Sequence, residues 1–149
     1  MNKRQRMTET ASVVLTLALL TGVAVAVPAY QRHRVRNEAA GAQVVELYAS
    51  AERGIWTEER LLGWNSFFKH AEKRPIRIKA GQSTLLRLTS VDVHHSFSIP
   101  ELRIVPHDVP PGHWTEIRLD PQERGTYTIT CYTVCGSKHS TMDAELQVF

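Results

Sequence analysis

Four side chains with an affinity for soft metals fall within twelve residues: Cys131, Cys135, His139 and Met142, in the run CYTVCGSKHSTM. Thiolate and thioether sulfurs favour copper, and imidazole suits copper or zinc, so two Cys, one His and one Met together point to copper. A methionine argues against structural zinc, whose usual ligands are Cys, His and carboxylates. Each residue alone has a plainer reading. Cys131 and Cys135, the chain's only cysteines, would close a small disulfide loop in an exported protein; a lone Met142 would fill a core, and a lone His139 would sit at a surface. Their joint occurrence in this order is what favours a metal.

A tetrahedral site needs a further donor, and the segment DVHHSF supplies His94 and His95. Consecutive residues of a strand face opposite sides, so only one of the pair easily reaches a common site. The Cys/His/Met run lies between GTYTIT and AELQVF, both of which alternate with period two. It therefore reads as a loop held at the end of a β-scaffold.

The scaffold that must position these residues begins at about Trp64. IRIK (76–79), TLLRLTS (84–90), VDVHHSFSI (91–99), WTEIRL (114–119), GTYTITC (125–131) and DAELQVF (143–149) read as strands. Turns fall at Ala80-Gly81, at Val109-Pro110-Pro111-Gly112 and between Asp120 and Gly125. Short strands at this spacing predict a β-sandwich or small barrel over residues 63–149.

Upstream, residues 1–10 are basic and residues 11–30 are apolar; no charge occurs between Glu9 and Arg32. As a helix, Ala11 to Tyr30 would span roughly 30 Å, enough to cross a bilayer. The basic start and Ala24-Val25-Ala26 also fit a cleaved secretory signal, but the apolar run exceeds the usual signal core, which favours an uncleaved anchor. Either way the remainder is exported. Residues 31–62 read as a linker or stalk, loosely helical in the spacing of Val44, Val45, Leu47, Tyr48, Ala51, Ile55 and Trp56 and interrupted by Gly41 and Gly54.

The formal net charge of +3 hides an uneven distribution. Residues 1–36 hold six Lys/Arg against Glu9 alone, a charge of +5, whereas residues 37–149 hold 12 Lys/Arg against 14 Asp/Glu, a charge of −2. No basic stripe remains for a phosphate backbone, which excludes nucleic-acid binding. With 149 residues, of which 11–30 are a membrane or targeting segment's apolar run, a two-domain catalyst is excluded as well. Ser96 and Ser140 lack the local context of a hydrolase nucleophile. His107 and Asp108 in a Pro-rich loop, and His113 and Trp114 after the Pro-Pro-Gly turn, read as solvated loop residues, with a second metal or a docking role as the alternative.

The pattern C-x-x-x-C-x-x-x-H-x-x-M, preceded by Asp92-Val93-His94-His95-Ser96-Phe97, resembles the dinuclear copper-A domain of cytochrome c oxidase subunit II. The likeness runs from about Trp64 to Phe149 and takes in the Lys-Ala-Gly turn, the Thr-Ser-Val-Asp-Val segment and the late Pro-Gly before a strand. It is closest in kind to the short, single-helix subunits of bacterial or archaeal oxidases. The resemblance implies a cupredoxin-like Greek-key β-sandwich, all-β after one N-terminal transmembrane helix. It also implies two copper ions bridged by Cys131 and Cys135, each capped by one of His95 and His139. Met142 would be a weak axial ligand of one ion and the backbone carbonyl of Thr133 of the other, while His94 falls at the family's variable position.

By the same resemblance, the chain is the non-catalytic electron-transfer subunit of a terminal oxidase. It would take single electrons from a soluble c-type cytochrome or cupredoxin and pass them to a haem-copper catalytic subunit in the membrane, with its C-terminal domain on the periplasmic side. Two departures stand out. Thr133 replaces the family's usual Glu, which puts the magnesium site shared with the catalytic subunit in doubt, and of the aromatic patch that receives electrons only Trp64 remains, with Phe67 and Phe68 nearby. The missing Glu and the short chain leave room for a free-standing, membrane-anchored copper-A carrier, and the same donors would serve a copper storage or delivery protein.

Overall fold

The computed structural model describes residues 2–61 and 71–149. They form the helix α1 (Lys3–Glu38) and the strands β1 (Gln43–Ser50), β2 (Ile55–Thr57), β3 (Ile76–Ile78), β4 (Thr84–Ser90), β5 (His95–Ile99), β6 (Ile104–Val109), β7 (Thr115–Leu119), β8 (Gly125–Ile129) and β9 (Ala144–Val148). The chain divides into two units at Ala40–Gly41, the first helical and the second built of strands.

In α1 the apolar stretch is exposed all round: Val13, Leu15, Leu20 and Val25 are 58–65% accessible. Its hydroxyls are turned inward, Thr16 Oγ1 donating to the Ser12 carbonyl at 2.9 Å and Thr21 Oγ1 to that of Leu17 at 2.7 Å. Such back-bonding satisfies the polar groups without water, as a hydrocarbon surrounding requires. The helix is long and apolar enough to cross a membrane.

The second unit is a β-sandwich. One sheet has the order β2-β1-β4-β7 and the other β3-β9-β8, with β5 and β6 as a separate hairpin. The β1–β4 and β3–β9 pairs are parallel and the other strand pairs antiparallel. Ser98 and Thr130 exchange both backbone hydrogen bonds, at 3.1 and 3.0 Å, which fastens β5 to the end of β8. Leu47, Trp56, Ile78, Leu86, Phe97 and Leu146 pack in one apolar core. In β9 the inward Ala144, Leu146 and Val148 alternate with Glu145 and Gln147, the pattern that period two demands.

Several expectations are corrected here. Residues 43–57, expected as a loosely helical stalk, are β1 and β2. The period of two is obscured because both faces of β1 are covered: Val45, Leu47 and Ala49 enter the core, and Tyr48 on the opposite face is also buried. That outer face is closed by Trp114, whose ring meets Tyr48 edge-on at 5.6 Å and lies 4.4 Å from the Arg87 guanidinium. Arg87 in turn pairs with its cross-strand neighbours Glu46 and Glu116. Trp114, expected as a solvated loop residue, is thus a packing element.

The second correction concerns His107 and Asp108, which lie in strand β6 rather than in a Pro-rich loop. Pro106 falls where the β5–β6 register shifts, between the Phe97–His107 and Ile99–Ile104 pairs, so its missing N–H breaks no regular ladder. The third is the start of β5. Val91–His94 form a bend instead of the expected strand, because the Asp92 carboxylate accepts from Val93 N–H at 2.8 Å and the Ser90 hydroxyl from Asp92 N–H at 3.2 Å. These local bonds take the backbone groups a strand would have used.

Candidate metal centre

The bend at Asp92 decides which histidine turns inward. His95 opens β5 and is fully buried, whereas the His94 side chain is half exposed and lies 3.6 Å from the Asp108 carboxylate. Strand β8 then delivers Cys131 beside β5 through the Ser98–Thr130 bridge, with Cys131 Sγ 3.9 Å from His95 Nδ1. The loop that follows is pinned by Ser96, whose hydroxyl oxygen accepts from Tyr132 N–H at 2.7 Å and Thr133 N–H at 3.0 Å. This turns the Thr133 carbonyl oxygen to within 3.4 Å of Cys131 Sγ.

Cys135 closes the group. Its Sγ, Cys131 Sγ and a ring nitrogen of His95 all lie within 4.8 Å of one another, and Cys135 Sγ is 3.5 Å from His139 Nδ1. His139 sits at the start of a 3-10 turn, His139–Thr141, whose N–H group at Met142 returns to the His139 carbonyl at 3.0 Å. Met142 is buried in the core, and its own carbonyl accepts from Trp56 Nε1 at 3.1 Å. The Trp56 ring also meets His95 at 5.9 Å and Phe97 at 5.5 Å between centroids.

Both cysteines are free, so the small-loop disulfide is not what the structure holds. Burial, with the neighbouring Cys131 sulfur, pushes the Cys135 thiol up to about 11. Both effects disfavour a second negative charge in a water-poor site. Asp92 is pulled the other way: burial alone would raise its pKa, but hydrogen bonds from His95, Glu52 N–H, Val93 N–H and Ser50 outweigh it and hold the carboxyl below its ordinary range.

The donors brought together are two thiols, the Nδ1 edges of two imidazoles and a backbone carbonyl, with a thioether buried nearby. Among the described residues, the carboxylate at hand is Asp92, which faces His95 Nε2 at 3.0 Å, on the ring edge away from Cys131. A soft, carboxylate-free set of this kind fits copper. Trp64, expected to receive electrons, lies outside the described residues.

Several contributors were not recognisable as such in the sequence. Ser96 and Asp92 belong to the DVHHSF motif, yet only the fold shows their bonds to the ligand loop and to His95. Gly54 is a further case: at φ +66° it brings the β1–β2 turn against the His139 turn so closely that a Cβ would lie 2.1 Å from Thr141 Oγ1. A β-carbon fits neither the backbone conformation nor the space.

Residues 58–148 match the family described as cytochrome c oxidase subunit II, periplasmic domain. The chain belongs to this family. The alternative cytochrome c oxidase subunit 2 of Bradyrhizobium diazoefficiens is 34% identical over 77 residues, 52% of this chain and 27% of that relative. The matched stretch thus spans little more than a quarter of the curated relative. Among solved structures, a chain of a heme-copper terminal oxidase dimer aligns with a TM-score of 0.54 at 17% identity, covering 99% of this chain and 100% of that one. Auracyanin A, a "blue" copper protein from Chloroflexus aurantiacus, aligns with a TM-score of 0.50 at 12% identity over 73% of this chain and 100% of its own. The fold of this subunit II family member is the cupredoxin-like β-sandwich, with one apolar helix before it.

Proposed function

We propose that the chain is the electron-accepting subunit of a haem-copper terminal oxidase and carries a dinuclear copper-A centre. Cys131, Cys135, His95 and His139 would hold two copper ions, with the Thr133 carbonyl and Met142 as weaker donors. The single observation that carries this reading is the convergence of His95, Cys131 and Cys135 within 4.8 Å, with His139 against Cys135 at 3.5 Å. One buried cysteine would serve a single-copper cupredoxin; a second, at the same point, is what a pair of ions needs.

When bound, a copper pair held by both thiolates would supply a one-electron couple shared between two metals. The protein's part is to hold the donors still. Ser96 fixes the loop backbone, Trp56 fixes the Met142 carbonyl, and the core excludes water from both sulfurs, so little has to move as charge comes and goes.

The surface beside the site supports the electron-accepting part of this reading. Tyr132 and Val134, within the loop that carries both cysteines, are 58% and 83% exposed. Apolar side chains raised this far suit contact with a partner protein close to the thiols. In this reading α1 anchors the chain in the membrane with its β-domain on the periplasmic side, the donor is a soluble c-type cytochrome or cupredoxin, and the acceptor is the haem-copper catalytic subunit, where oxygen is reduced. Thr133 supplies no side-chain carboxylate, so the reading includes no magnesium shared through this loop.

The test is copper stoichiometry with electron paramagnetic resonance on the full chain in detergent. Two coppers per chain and one unpaired electron spread over both support the proposal. One copper overturns it in favour of a mononuclear cupredoxin, and reversible surrender of Cu(I) without a stable coloured centre overturns it in favour of delivery.

A further inference from the structure

We infer that Asp92 is a positioning residue that fixes the tautomer of His95 and ties it to the β1–β2 turn. Five groups converge on its carboxylate. Ser50 Oγ at 3.1 Å and Glu52 N–H at 3.0 Å reach Oδ2 from the end of β1 and the turn after it. Val93 N–H at 2.8 Å, His95 Nε2 at 3.0 Å and the Ser90 hydroxyl at 3.3 Å reach Oδ1.

An ionised carboxylate only accepts hydrogen bonds, so the imidazole nitrogen facing it must carry the proton. His95 is consequently held with its proton on Nε2, leaving the lone pair of Nδ1 toward Cys131 Sγ, 3.9 Å away. Full burial of His95 makes this choice matter: a neutral imidazole with the opposite tautomer would point N–H at the thiol and leave two acceptors face to face at Asp92. The Trp56 ring packs against the imidazole at 5.9 Å between centroids. Among the described hydrogen bonds Asp92 reaches neither thiol; its one bond to the donor set is to His95, and only its charge acts on Cys135 as well.

The functional consequence rests on the copper reading above, but the tautomer does not, and the experiment separates them. Nitrogen NMR of the metal-free full chain labelled at histidine, at mildly alkaline pH, reports which His95 nitrogen is protonated. The expected result is the Nε2–H form alone; an Nδ1–H form, or an even mixture, overturns the inference without recourse to any variant. In Asp92→Asn, which keeps the side-chain size, the Nε2–H preference should weaken and copper affinity should fall about 10- to 100-fold, the usual cost of losing a partner behind a metal-bound histidine. Ser50→Ala, which removes one donor from Asp92 and leaves its bond to His95, should retain the tautomer. Unchanged copper affinity in Asp92→Asn overturns the positioning role. A wild-type chain that shows the Nε2–H form yet takes up no copper overturns the copper reading alone.

Discussion

The two histidines that flank the thiols are supported in opposite ways. His95 opens a strand, is fully buried, and is braced by Asp92 on one ring edge and Trp56 across its face. His139 begins a short 3-10 turn, is only partly buried, and approaches Cys135 from a loop whose neighbours Ser140 and Thr141 are exposed. A buried imidazole costs free energy unless both nitrogens are engaged, so the His95 half must be assembled when the domain folds. The His139 half can adjust when a ligand arrives. The site thus joins a side set by the sheets to a side set by a turn, and Cys131 and Cys135 are the seam between them.

Breaking the seam should have the largest effect. Cys131 Sγ lies against both His95 Nδ1 and the Thr133 carbonyl, so Cys131→Ser should abolish the proposed two-copper centre altogether. Metal analysis of that variant checks it, and two coppers retained per chain would show that neither half depends on this sulfur.

The next effect tests the asymmetry itself. His139→Gly opens a gap near the surface that free imidazole can enter, so added imidazole should restore the copper spectrum. His95→Gly leaves a cavity sealed by Trp56, Phe97 and the sheets, and should resist rescue as well as lower stability by the few kcal/mol typical of large-to-small core substitutions, about 2–5. Equal rescue of both variants would erase the distinction between the halves.

The difference between the halves also governs what could be read from sequence. The loop half was legible because its donors are consecutive in the chain and their types are rare together: Cys131, Cys135, His139 and Met142 announce themselves. Strands β3, β4, β7, β8 and β9 were legible because one face is wet or the run is short and punctuated by Gly or Pro. The supports of His95 were not, because they come from residues about forty positions away. Ser50, Glu52 and Trp56 sit in a segment whose two buried faces imitate helical spacing, and no local signal shows that β1 pairs in parallel with β4. Likewise Asp92 lies in a visible motif, but its partners exist only after folding.

Thiol ionisation gives a smaller and graded effect. Burial and the adjacent Cys131 sulfur raise Cys135 to about 11 from an ordinary value of 9.0, so at neutral pH the metal-free protein holds this proton. Copper uptake must release it, and apparent affinity should climb with pH up to that value. A weakly buffered titration that follows pH as copper is added measures the release. For the metal-free fold the sign is reversed: a pKa raised by folding favours the protonated state, so stability is intact below the unfolded thiol pKa and declines as pH rises toward the folded one. Copper binding and apo stability should therefore move in opposite directions above neutrality.

The smallest effect probes the outside of the His139 half. Lys73 Nζ donates to the Thr141 carbonyl and to Asp143 Oδ1, both at 2.9 Å, and so ties the 3-10 turn to the segment before β3. Both side chains are substantially exposed, 42% and 61%, which screens the pair. Lys73→Ala should cost only about 0.2–1 kcal/mol in urea unfolding near neutral pH. The Lys73 hydrogen bond holds the Asp143 carboxyl below its ordinary range. A depressed carboxylate pKa contributes stability above the unfolded pKa and loses it as pH falls through the folded one, so the gap between wild type and Lys73→Ala should close in acid. A cost well above this range would mean that the turn carrying His139 is braced from outside as firmly as His95 is from within, and the two halves would no longer differ in kind.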